Sequence, residues 1–147
     1  MFKTKKGRYK PKNPKKYNGD PSNVIYRSSW EYRCMVYFDL NPNVLMWESE
    51  ELIIPYKSPK DGRMHRYFPD FRIRVRTKAG LTQTILIEVK PFYQTQPPKI
   101  QSRRTKKYIN EVMTYGVNTS KWHAAEEYCK DRQWKFQIIT ENELNIK

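Results

Sequence analysis

The sequence predicts an α/β domain: a central mixed β-sheet flanked by helices, preceded by a basic arm. Three observations lead there. Phe71, Ile73 and Val75 alternate with Arg72, Arg74 and Arg76, the period-2 signature of a strand with one apolar face. Thr82–Lys90 repeats that alternation after the short turn Thr77-Lys78-Ala79-Gly80, so the two strands should pair antiparallel. Helical apolar spacing then appears on either side, in Trp30, Cys34, Tyr37 and Phe38 and again in Trp122, Ala125, Tyr128 and Cys129.

Taken in order, the chain opens with Lys3, Lys5, Lys6, Arg8, Lys10, Lys12, Lys15 and Lys16 and carries no acid before Asp20. With Pro11, Pro14 and almost no aliphatic residues, this stretch has no means of building a core. Residues 1–20 are therefore expected to be an extended or disordered basic arm, and 21–147 a single domain whose folded part begins near Val24. A solubilising tail is the plainer reading of the arm.

Ser28-Ser29-Trp30-Glu31 opens a helix to about Asp39, which Asn41-Pro42-Asn43 ends. Val44–Trp47 and Leu52–Tyr56 read as strands, and Ser58-Pro59-Lys60-Asp61-Gly62 as a loop or hairpin tip. Arg66–Arg76 and Thr82–Lys90 form the central hairpin. After the Pro-containing connection Pro91–Pro98, a basic helix is expected over Lys99–Met113. A second helix should run from an Asn118-Thr119-Ser120 cap to Arg132, followed by a strand over Trp134–Thr140 and a terminal turn or short helix.

A length of 147 residues suits one domain, and a net charge of +14 points to a polyanionic partner, with nucleic acid as the default. The aromatic content of 14% is too high for a disordered tail protein. No apolar run reaches the ~18 residues that span a bilayer, and no signal-peptide pattern opens the chain, so no membrane partner is expected. Cys34 and Cys129 both sit in helical apolar patterns and read as reduced core residues.

The chemistry concentrates at one end of the central hairpin. Asp70 starts its first strand and Glu88 ends the second, so the two can meet across the ladder. Glu88 and Lys90, two apart, share a face. Two carboxylates and an ammonium at the open end of a sheet suit metal-assisted phosphodiester hydrolysis. Hard oxygens hold Mg²⁺ through a few ligands and leave places for water and phosphate. A solvated same-face ion pair is the bland alternative for Glu88 and Lys90.

With these residues in view, the sequence resembles the PD-(D/E)xK nuclease superfamily, through Pro69-Asp70 and Glu88-Val89-Lys90. Ile54-Pro55-Tyr56, Tyr67-Phe68-Pro69-Asp70-Phe71, Lys121-Trp122 and Ile139-Thr140-Glu141 resemble its transposon-end nuclease branch. The basic opening and small size are most similar to the head completion nucleases of T-even-like tailed phages. The resemblance covers residues from about 24 to 145 and implies a restriction-endonuclease-like core. It also implies a Mg²⁺-dependent DNA nuclease, with Mn²⁺ as a substitute, acting on double-stranded DNA in phage head completion and head-tail joining. By position, Asp70, Glu88 and the Val89 carbonyl would be metal ligands and Lys90 the catalytic lysine. Glu31 would be a helix carboxylate holding the metal or its water. Glu31 also fits a capping box begun by Ser28.

Arg103, Arg104, Lys106 and Lys107, together with Lys3, Lys5, Lys6, Arg8, Lys10 and Lys12, are the expected phosphate contacts. Arg72, Arg74 and Arg76 fit either an exposed sheet face or salt bridges under a helix. Glu48, Glu50 and Glu51 read as a solvated edge, and His65 and His123 as surface or packing residues. The implied setting is the host-cell cytoplasm, or the virion, with phage head or neck proteins and a homodimeric mate as further partners. Two other functions fit the same sequence: a non-catalytic DNA-binding head-assembly protein of nuclease-like fold, and a junction or transposon-end endonuclease.

Overall fold

A computed structural model of the protein describes residues 5–145; Lys3 lies outside them. Four strands form the central sheet. They are β3 (Val44–Ser49), β6 (Phe71–Arg76), β7 (Thr82–Val89) and β8 (Lys135–Ile139), in the spatial order β3-β6-β7-β8. The β3–β6 and β6–β7 pairs are antiparallel and β7–β8 is parallel, so the sheet is mixed, as expected.

Each face of the sheet carries one helix. On one face α1 (Ser29–Leu40) lays Trp30, Cys34, Met35 and Phe38 against Phe71, Ile73, Ile87 and Val89. On the other, the second half of α2 (Lys106–Arg132) packs Trp122, Ala125 and Cys129 onto Leu86. Strand alternation alone divides the two cores: Ile87 and Val89 serve α1, while Leu86 and Glu88 face the α2 side. Glu88 thus takes a position that this pattern otherwise gives to a hydrophobe. Cys34 and Cys129 are both buried free thiols, one in each core.

The expected strand Arg66–Arg76 is broken in two. β5 (Met64–Tyr67) pairs antiparallel with β4 (Ile54–Lys57) in a separate hairpin, and the chain changes sheets before β6 begins at Phe71. Pro69 has no N–H to give a ladder, which suits it to the break. The gap leaves Asp70 immediately before β6.

The two expected late helices are one. Residues 99–104 stay non-helical, and the helix starts where the Thr105 hydroxyl accepts the Tyr108 amide at 3.1 Å. Arg103 and Arg104 therefore precede the helix. Asn118-Thr119-Ser120 lies inside it, where the Thr119 hydroxyl donates back to the Gly116 carbonyl at 3.0 Å instead of capping a new start.

Residues 5–20 are not a free arm. β1 (Gly7–Tyr9) pairs with β2 (Val24–Tyr26), and Tyr9 and Tyr17 enter the α1 core against Trp47, at ring-centroid distances of 6.0 and 4.7 Å. Asp39, fully buried at the end of α1, fastens the segment. It accepts from the Tyr9 hydroxyl at 2.6 Å and from the Lys12 and Asn13 amides at 2.7 and 3.0 Å. Two tyrosines and one buried acceptor supply the core that aliphatic residues do not. The cations still face outward, with Lys5, Lys6, Arg8, Lys10 and Lys12 all exposed.

Candidate active site

The register of the central hairpin sets the site. Phe71 lies opposite Ile87, which brings Asp70, one residue earlier, to the end of β7. There Asp70 Oδ2 accepts the Val89 amide at 2.7 Å. Glu88 is buried, at 7% exposure, and its Oε1 accepts from the Tyr67 hydroxyl at 2.9 Å. Lys90 Nζ stands 3.7 Å from Glu88 Oε2. The Lys90 amide bonds to the Ile139 carbonyl, so the ladder with β8 continues through the lysine and holds its backbone in place.

Glu31 reaches the same place from α1. Ser28 caps that helix by accepting the Glu31 amide at 3.1 Å, whereas the Glu31 carboxylate accepts the Arg27 amide at 3.3 Å. The Ser28 cap thus forms without the reciprocal bond from the Ser28 amide to Glu31 that a capping box would add. Arg27 binds both carboxylate oxygens of Glu50, at 3.0 and 3.1 Å, and so brings a further acid to the rim. Glu50 sits in the left-handed backbone region at φ 55°, a conformation uncommon outside glycine.

The electrostatics describe an anionic cluster short of positive charge. Burial raises the Asp70 pKa well above the usual carboxylate range, and the charges of Glu88 and Glu31 push it further the same way. Glu31 is raised by burial, then by Glu50 and Glu88, against the Arg27 amide and side chain. Glu88 is also raised by burial, although Lys90, the Tyr67 hydroxyl and Lys121 oppose the shift. Like charges held at close quarters out of water resist full ionisation.

That donor set fits a hard divalent cation. Among the described residues, no group of three or more acidic, histidine or cysteine side chains is placed to hold a metal ion. Mg²⁺ does not need one, because it is commonly held by one or two carboxylates and keeps water and substrate phosphate for its other positions.

Three residues at the site received no role from the sequence. Tyr67 hydrogen-bonds Glu88, as described. Lys121 Nζ lies 5.8 Å from the ring centroids of both Tyr56 and Tyr67. Its charge favours ionised Glu88. The indole N–H of Trp122 is buried and also favours ionised Glu88, without reaching good hydrogen-bond geometry. The Lys121-Trp122 pair was the available signal, but its helix had to be docked before a role was visible.

The acidic edge also reads differently in three dimensions. Glu48 is buried and ion-paired with Arg72, and it accepts from the Asn18 side chain at 2.6 Å. A solvated edge was expected. Antiparallel register instead places Glu48 directly opposite Arg72, so the pair neutralises itself as it is buried. For Arg72, then, a salt bridge is found; Arg74 and Arg76 are exposed.

Residues 41–141 match the family model described as TnsA-like endonuclease N terminal. The chain belongs to this family. The matched span includes Asp70, Glu88 and Lys90 and begins beyond Glu31. This TnsA-like chain is also 41% identical over 142 residues to the head completion nuclease of Enterobacteria phage T4, covering 94% of its own length and 92% of the relative. The superfamily resemblance drawn from Pro69-Asp70 and Glu88-Val89-Lys90 is thereby borne out. No solved structure matches the TnsA-like chain.

Proposed function

We propose that this chain is a divalent-metal-dependent deoxyribonuclease that cuts or trims double-stranded DNA during phage head completion and head-tail joining. The observation that carries the reading is the convergence of Asp70 and Glu88 with Lys90 at the open end of the central sheet. The name of the phage T4 relative, a head completion nuclease, supports head completion as the setting, which would put the chain in an infected host cell or the virion with head or neck proteins as partners.

Asp70, Glu88 and the Val89 carbonyl would hold Mg²⁺, or Mn²⁺ in its place, with Glu31 holding the ion or its water. Bound there, the ion would polarise the phosphoryl group and lower the pKa of a water molecule. Asp70 is braced by the Val89 amide and Glu88 by the Tyr67 hydroxyl, so both carboxylates present their remaining oxygens in fixed directions. Lys90, partly exposed beside Glu88, orients the attacking water and offsets charge that develops on the phosphate.

Arg103 and Arg104 precede α2, and Lys106 and Lys107 lie in its first turn; all four are exposed. They crowd the positive end of a 27-residue helix, with no acid in its first turn. Such crowding is unfavourable for the helix and favourable for phosphate. Lys5, Lys6, Arg8, Lys10 and Lys12, exposed on the packed N-terminal segment, add further phosphate contacts. A homodimer would present two sites to two antiparallel strands.

The test is cleavage of circular, linear and branched DNA with Mg²⁺, Mn²⁺ or EDTA, comparing the wild type with Glu88→Gln. Cleavage that needs metal and falls by roughly 10²-fold or more in the variant is the expected result. Cutting of circular duplex identifies endonuclease action. Loss of product only when DNA ends are absent identifies an exonuclease. Tight DNA binding with no cleavage in any metal would sink the catalytic reading in favour of a DNA-binding assembly protein.

A further inference from the structure

A groove of about 790 Å³ runs between the connection that follows Lys90 and the first half of α2. Tyr93 and Tyr115 contribute its aromatic surfaces, Gln94, Gln96, Asn110 and Asn118 its carboxamides, and Lys106 and Lys107 its cations. The one acid among its residues, Glu111, has Lys107 at 4.0 Å.

Asn118 is the unexpected member. It lies in mid-helix and is only 8% exposed, and its carboxamide makes no hydrogen bond among the described residues. The carboxamide is not sealed from solvent and lines the groove, at a helix position that a leucine or alanine would suit better. The groove is the place from which a partner for Asn118 can come.

The groove is also placed to continue the candidate active site. Tyr93 follows Lys90 by three residues, and Asn118 stands one helical turn before Lys121 and Trp122, which face Glu88. From Asn118 the groove extends along α2 to Lys106, about 18 Å at 1.5 Å per residue.

We propose that this groove is a pocket for the unpaired nucleobases of a DNA strand leaving the cleavage site. The inference rests on the nuclease reading and adds a substrate feature to it. Carboxamides offer the paired donors and acceptors that match the edge of a base, edges that an intact duplex keeps engaged in pairing. Tyr93, 71% exposed beside them, offers a ring face for stacking. Lys106 and Lys107 meet the phosphates.

The experiment measures binding in EDTA by fluorescence anisotropy, so that no cleavage is required. The full chain is titrated with a blunt duplex, the same duplex carrying a short single-stranded extension, and that duplex with an extension of abasic nucleotides. The wild type should prefer the extension that carries bases over the abasic one, which keeps only the phosphate contacts, by at least about fivefold. Tyr93→Ala and Asn118→Leu should each abolish the preference. Tyr93 is too exposed for its loss to unfold the chain, so Tyr93→Ala decides the matter if Asn118→Leu proves unstable. Equal binding of the base-bearing and abasic extensions, or a preference that survives Tyr93→Ala, overturns the proposal. Absence of Mg²⁺-dependent cleavage alongside an intact, Tyr93-dependent preference would count against the nuclease reading and leave the groove standing.

Discussion

The Tyr67 hydroxyl donates to Glu88 Oε1 across 2.9 Å, although the two residues belong to different sheets. Tyr67 ends β5 in the small hairpin, and Glu88 lies near the end of β7 in the central sheet. The bond ties the hairpin to the proposed metal ligand, and Lys121 of α2 lies over the same tyrosine ring. Replacing Tyr67 by Phe removes only the hydroxyl and leaves Glu88 one donor short. Metal-dependent cleavage should fall about 10-fold, with a higher Mg²⁺ requirement, as outer-shell changes typically produce. A Mg²⁺ titration of Tyr67→Phe cleavage rates checks this.

Divalent cations should stabilise the fold more strongly as pH rises. Burial and mutual repulsion raise the folded-state pKa values of Asp70, Glu31 and Glu88. An acid with a raised folded pKa costs no stability below its unfolded value, and the cost accrues as pH climbs from the unfolded toward the folded pKa. A cation bound to the ionised cluster offsets that cost. Thermal melts with and without Mg²⁺ should show an upward shift that is larger at pH 8 than at pH 5. In Asp70→Asn the metal-induced shift should shrink, while the metal-free melting temperature should hold or rise.

Asp39 should contribute with the opposite sign. Burial disfavours its charge, but the Tyr9 hydroxyl and the Lys12 and Asn13 amides outweigh that and lower its pKa. Stability from a depressed carboxyl is fully present above the unfolded pKa and is lost as pH falls through the folded value. Asp39→Asn should cost about 2 kcal/mol at neutral pH, the scale of hydrogen bonds to a charged group. In denaturant titrations the difference from the wild type should narrow below about pH 4.

The cations near the start of α2 should act through salt. Each phosphate contact removed lowers the slope of log affinity against log salt by about 0.9. A double variant, Arg103→Ala with Arg104→Ala, should therefore reduce the slope for blunt duplex by nearly two and weaken binding with little regard to sequence. An unchanged slope would remove these residues from the interface.

Much of the site is legible in the sequence because it is carried by strand parity and a tight turn. Asp70, Glu88 and Lys90 lie on one hairpin, where alternation and register follow from local geometry. The outer pieces depart from their local patterns for reasons that lie elsewhere in the chain. Prolines and lysines at the N-terminus resemble disorder until Tyr9 and Tyr17 find Trp47 and Asp39. Asn118-Thr119-Ser120 resembles a helix cap until α2 is seen to continue through it. Glu48 resembles a solvated acid until register sets it opposite Arg72.

The sequence by itself determined the mixed sheet, the central hairpin and the carboxylates and lysine at its end, since these depend on residues near one another along the chain. Tertiary structure alone decided that Tyr67, Lys121 and Trp122 surround Glu88, that Glu31 approaches from the opposite core, and that a groove continues past Lys90. Those relations join segments from separate elements. They are set by which faces bury together, a property of packing that no local pattern encodes.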